Sequence, residues 1–218
     1  MMEAMTHLAR IERDALCDTL REVGPDAPTL CSPWTTADLA AHLVIRERRP
    51  DLAPGIWVSA LASRLEEGMQ EYAAKPWPEL VDLLQSGPPT WAPTQVAKID
   101  NAVNFVEFHI HHEDVLRGDE AVGPRRELSA REARAVWKAL SRSAKLMFRR
   151  SPTGVVLQTP AGETVQARPA SELGTVILEG APGELLLTAY GRRRVADVEV
   201  IGTPEAVAAL WAAPVGLS

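Results

Sequence analysis

A change of hydrophobic period close to residue 150 limits what this chain can fold into more than any other feature. Before it, apolar side chains recur at helical spacing; after it, short alternating runs appear between turn residues. The stretch Arg149-Arg150-Ser151-Pro152 marks the change. An all-helical stretch followed by mixed strands and helices predicts an α+β chain of two domains, residues 1–150 and 151–218. Its 218 residues would suit one large domain or two small ones, so the period and not the length carries the division.

Local signals place the elements. Residues 5–23 carry Leu8, Ile11, Ala15, Leu16, Leu20 and Val23 at helical spacing and stop at Gly24-Pro25-Asp26. Thr35 reads as the N-cap of a second helix running to Arg48, with Asp38 completing a capping box and Pro50 as the stop. Residues 57–74 fit a third helix with Val58, Leu61, Leu65, Met69 and Tyr72 inward. A short helix over 76–84 has Pro78 in its first turn, and the longest helix, 96–116, ends at Gly118. Ser129 and Glu132 cap a helix over 129–148. Strands 154–159 and 163–168 flank a Pro160-Ala161-Gly162 turn. Strand 175–179, helix 182–190, strand 195–201 and helix 204–211 complete the chain.

Composition bounds function mainly by exclusion. A net charge of −6 gives no global support for a nucleic-acid or anionic-membrane partner. No run approaches the roughly 20 apolar residues of a membrane span. Residues 1–9 lack the basic start and apolar run of a secretory leader, and two cysteines are too few to staple an extracellular scaffold. A cytoplasmic protein is expected, with Cys17 and Cys31 as small buried apolar groups.

Ligand-type side chains are densest at Glu107-Phe108-His109-Ile110-His111-His112-Glu113-Asp114. On a helix, Glu107 and His111 lie within about 40° of each other and Asp114 within about 20° of Glu107. His109 points about 200° and His112 about 140° away, which predicts a bundle-facing or interface His109 and a solvated His112. A glutamate and a histidine one turn apart are a common way for helices to hold metal. The same spacing more often marks a solvated face with a local ion pair. His42 lies among aliphatics, where a core histidine with a hydrogen-bond partner is the ordinary outcome. A shared metal would relieve the burial of both groups at once.

The run Cys31-Ser32-Pro33-Trp34-Thr35-Thr36-Ala37-Asp38-Leu39-Ala40-Ala41-His42-Leu43 resembles the second-helix signature of the mycothiol-dependent maleylpyruvate isomerase family. That family's second signature, Glu-x-x-x-His followed three residues later by Asp, is matched by Glu107, His111 and Asp114. More weakly, Leu185-Leu186-Leu187-Thr188-Ala189-Tyr190-Gly191-Arg192 is similar to the family's small C-terminal domain. The resemblance implies a DinB-like four-helix N-terminal bundle and a sterol-carrier-protein-like α/β domain. It also implies a zinc site of His42, Glu107 and His111, with mycothiol as thiol cosubstrate and a small electrophile as its partner.

Three such ligands leave zinc an open position, the mark of a catalytic site. The ligand set suits nickel or iron about as well. Asp114 is then an acceptor that orients His111, or a solvated residue near the helix end. Arg192 is a candidate carboxylate binder, or a basic surface turn. The expected function is a metal-dependent thiol S-transferase or isomerase. A non-catalytic metal-binding module and a water-activating hydrolase stay open, as does a homodimer.

Overall fold

The computed structural model describes residues 7–56, 58–118 and 126–216. It is a mixed helical and four-stranded α+β structure that divides into two compact units, Met1–Gly123 and Pro124–Ser218.

The first unit is helical: α1 (Leu8–Val23), α2 (Thr36–Arg48), α3 (Ala62–Ala73), α4 (Trp77–Gln85) and α5 (Ala97–Leu116). Helix α1 packs on α4 and α5, and α2 packs on α3 and α4. The capping box at α2 forms as the sequence predicts, with Thr35 N–H donating to Asp38 Oδ2 at 2.9 Å and Asp38 N–H to Thr35 Oγ1 at 3.4 Å. That cap fixes where the helix begins and hence where His42 emerges. The buried stripe of α1 includes Glu12 and Arg13 besides Leu8, Leu16 and Leu20, whereas Ile11 and Val23, which share the helical spacing, are exposed.

Helix α5 is buried almost all round. Phe108, Ile110 and Val115 share its interior with Asn104, His109, His112, Glu113 and Asp114. The strand-free backbone just past its end runs against the segment before α2. Leu30 N–H donates to the Asp114 carbonyl at 3.0 Å, and a Cβ on Gly118 would lie 2.0 Å from the Pro28 carbonyl oxygen. Only glycine permits that approach, and it presses the Cys31 segment onto the last turn of α5.

The third predicted helix starts later than its apolar spacing suggests. Residues 53–56 and 59–61 form 3₁₀ turns, and Val58 (45 % exposed) and Leu61 (37 % exposed) face outward. Trp57 lies outside the described residues, as do residues 5 and 6 of the expected first helix. The buried position of α3 is Gly68, which lets the helix approach the Leu52 side chain.

The second unit contains α6 (Ala130–Met147), β1 (Gly154–Gln158), β2 (Thr164–Arg168), β3 (Thr175–Glu179), α7 (Pro182–Ala189), β4 (Glu199–Ile201) and α8 (Pro204–Ala212). Strand order is β2-β1-β3-β4, with β1 and β3 parallel and the outer pairs antiparallel. Val155, Leu157, Val176 and Leu178 point to the covered face. The last strand is shorter than the 195–201 run predicts.

Helix α6 lies in the second compact unit, ahead of residue 150. Its apolar stripe, Val136, Trp137, Leu140, Ala144 and Met147, is buried where α6 packs on β2 and α7. The period change marks where strands begin, while the unit begins earlier, ahead of the Ser129–Glu132 capping box.

Candidate metal centre

Two helices of the first unit bring His42, Glu107 and His111 together. His42 Nε2 lies 3.5 Å and His111 Nε2 3.3 Å from the same carboxylate oxygen, Glu107 Oε1. The three donor atoms all lie within 4.8 Å of one another. A tetrahedral ion with bonds of about 2.0–2.1 Å needs ligand atoms roughly 3.3 Å apart, so these residues fit such an ion with little movement. Two neutral imidazoles and a carboxylate are also the donor chemistry that zinc, nickel and iron accept.

Asp114 completes the arrangement from behind. It is fully buried, and its Oδ2 accepts from His111 Nδ1 at 2.9 Å and from the Cys31 thiol at 3.1 Å. A carboxylate offers only acceptors, so Nδ1 carries the proton and Nε2 faces Glu107. The sequence places Asp114 on this face but reads Cys31 only as a small apolar group. The lead-in segment instead delivers the Cys31 thiol to the Asp114 carboxylate. Cys17 does behave as expected: it is buried, and burial pushes its thiol up to about 12.

Electrostatics follow from this geometry. Burial pushes the His42 imidazole toward its neutral form, and its contact with Glu107 only partly opposes this. Burial acts the same way on His111, yet its hydrogen bonds with Asp114, Cys31 and Glu107 outweigh it and hold the pKa well above the ordinary value. Burial alone would raise the Glu107 carboxyl, but hydrogen bonds from His111 and His42 hold it well below the usual range. His111 thus lies between the Glu107 and Asp114 carboxyl groups.

Arg46 is a member that the pattern of ligand-type side chains does not single out, although its position one turn after His42 is the signal. Its Nε lies 3.3 Å from Glu107 Oε1, and Nη1 donates to Asn104 Oδ1 at 2.9 Å. Asn104 is held in turn by donating to Glu47 at 3.0 Å and to Asp100 at 2.8 Å. Arg13 closes the network, 2.5 Å from Glu47 and 3.4 Å from Asp100.

His112 is not solvated. It is buried against α1, with Nδ1 2.9 Å from Glu12 Oε1 and Nε2 2.8 Å from Thr19 Oγ1. An angle of about 140° from Glu107 points toward α1 and not toward water, because α5 is covered on that side too. His109 is buried beside the same glutamate, 3.9 Å from Glu12 Oε1. Arg192 belongs to the second unit, in the turn after α7, where its guanidinium donates to the Tyr190 carbonyl at 2.6 Å.

Neither a protein-family model nor a curated protein matches the sequence. Among solved structures, the chain is similar to the crystal structure of the mycothiol-dependent maleylpyruvate isomerase. The TM-score is 0.63 at 16 % identity over 94 % of this chain and 95 % of that one. A histidine-to-alanine variant of the isomerase matches with the same score, identity and coverage. The likeness establishes a shared fold.

Proposed function

We propose that this chain is a zinc protein acting in low-molecular-weight-thiol chemistry, as an S-transferase or isomerase with mycothiol as cosubstrate and a small electrophile as substrate. The observation that carries the metal is the convergence of His42 Nε2 and His111 Nε2, at 3.5 and 3.3 Å, on one Glu107 oxygen. The thiol comes from the fold neighbour, whose name declares that dependence. In this reading the first unit is a DinB-like bundle and the second is sterol-carrier-like.

When bound, zinc would supply Lewis acidity and stabilise a thiolate at its open position. His42, Glu107 and His111 would hold the ion, with nickel or iron as the alternatives. Asp114 would keep the proton on His111 Nδ1, so that Nε2 is the nitrogen presented. Arg192 is proposed to bind a carboxylate of the thiol or its acceptor. A hydrolase would want a non-ligand carboxylate available to take a proton from water. Asp114 is fully buried and already accepts from His111 and Cys31, which argues against that role. No helix among the described residues is long and apolar enough to cross a membrane, in keeping with a proposed cytoplasmic setting.

Cobalt replaces zinc with a visible spectrum. A cobalt-loaded Cys17→Ala/Cys31→Ser chain should develop a near-ultraviolet thiolate charge-transfer band when mycothiol is added. Loading of cobalt without such a band, for mycothiol, bacillithiol and glutathione alike, would leave a metal-binding module without thiol chemistry.

A further inference from the structure

We infer that Cys31, His111 Nδ1 and Asp114 form a second metal position, for a thiophilic divalent ion, on the side of the His111 ring away from Glu107. The position lies beyond the proposed centre and shares only His111 with it.

The donors come from two segments that the fold clamps together. Asp114 Oδ2 stands 3.1 Å from the Cys31 sulfur and 2.9 Å from His111 Nδ1. The three donor atoms all lie within 4.8 Å of one another, as those of His42, Glu107 and His111 do. Bonds of about 2.0–2.3 Å want donors roughly 3.3–3.6 Å apart, so an ion has only to open the group by about half an ångström. The thiol is fixed by its own loop. Cys31 N–H donates to Thr29 Oγ1 at 3.2 Å, and the Cys31 carbonyl accepts from Trp34 N–H at 3.0 Å. Thr29 is buried and donates in turn to the Trp34 carbonyl at 2.8 Å. With the close approach at Gly118, this leaves Cys31 little room to retreat from Asp114. His111 and Asp114 are buried while Cys31 is half-buried, so the sulfur marks the side from which an ion would enter.

The donor chemistry asks for more than an orienting hydrogen bond. Holding the proton of a ligand histidine takes one carboxylate, and Asp114 supplies it. The Cys31 thiol is surplus to that task. Sulfur, imidazole and carboxylate together suit zinc and ions like it, and the sulfur disfavours magnesium and calcium. Binding exchanges two protons, one from the Cys31 thiol and one from His111 Nδ1, for the ion. The ring then bridges two ions, with Nε2 on one and Nδ1 on the other. Their mutual repulsion makes the Cys31 position the weaker, so that it fills after the first.

Cobalt reads this position without any added thiol. In a Cys17→Ala chain Cys31 is the sole cysteine, so a thiolate charge-transfer band can have no other source. Titrated anaerobically with cobalt, that chain should take up a second equivalent, and the near-ultraviolet band should grow with it. Cys31→Ser on the same background should lose the band and that equivalent but keep the first. The Cys17→Ala/His42→Ala chain, with the first position disabled, should keep the band. If the proposed centre is wrong, Cys17→Ala takes up one equivalent with the band, and His42→Ala changes neither. The second position then stands while that reading falls. No band at saturation, or a second equivalent without one, overturns the second position. A band that disappears with His42→Ala also overturns it, since Cys31 would then be binding an ion that His42 holds. Should Cys31→Ser fail to fold, alkylation of Cys31 by iodoacetamide in the Cys17→Ala chain decides. The second equivalent should slow it, and an unchanged rate overturns the assignment.

Discussion

On one side of α5, His111 faces a carboxylate oxygen that three donors share; on the other, His112 has a protein partner at each ring nitrogen. The two residues are adjacent, both are buried, and both meet a glutamate. Around His112 the account is closed: Glu12 and Thr19 satisfy the ring, and the group braces α1 against α5. Around His111, too many donors meet too few acceptor atoms on a partly exposed side. A divalent ion, as proposed, would resolve that crowding. Burial, residue type and partner count do not separate the two histidines. What separates them is that the acceptor of His111 Nε2 is shared with two other donors.

The largest expected effect breaks the comparison at its centre. His42→Ala, Glu107→Ala and His111→Ala should each take bound metal from about one equivalent to a small fraction of that, while His109→Ala and His112→Ala retain it. Elemental analysis of the purified variants reads this directly. Metal loss in His112→Ala equal to that in His111→Ala would erase the distinction between the two sides.

A smaller effect is expected in stability. His112→Ala leaves the Glu12 carboxylate buried without its imidazole and should cost about 3 kcal/mol, seen as a lower urea midpoint at unchanged slope. A cost below about 1 kcal/mol would mean that the Glu12 pairing does not brace the helices.

The smallest effect sharpens the ligand side. Asp114→Asn keeps the shape but can present an N–H to His111 Nδ1 in place of an acceptor. Metal affinity should fall by about 10–100-fold without abolishing binding, as for other partners behind a ligand. Competition with a chromophoric chelator measures it. Unaltered affinity would reduce Asp114 to a buried spacer.

Much of this was legible because it is local. The capping boxes at Thr35 and Ser129, the stop after α5 and the shared face of Glu107, His111 and Asp114 need only neighbours in sequence. What was not legible depends on which surfaces become covered. A helical wheel gives the angle of His112 from Glu107 but not that α1 lies there. The signal for it was available in α1, where Glu12 and Arg13 interrupt an apolar stripe and so require buried partners. Val58 and Leu61 show the opposite error, correct spacing with no surface to bury against. The span and cap of α6 were legible, but its partners, β2 and α7, lie later in the chain than residue 150.

Helix α5 is held from both flanks: Asp100 and Asn104 tie to Arg13, Arg46 and Glu47, and His112 ties to α1 beyond the ligand pair. Its length is therefore not free to drift. Adding or removing one residue between Asn104 and Glu107 would turn the two anchor sets about 100° against each other. Side chains of α5 can be exchanged singly without moving that register, so the interval from Asp100 to Asp114 should tolerate substitution far better than insertion or deletion.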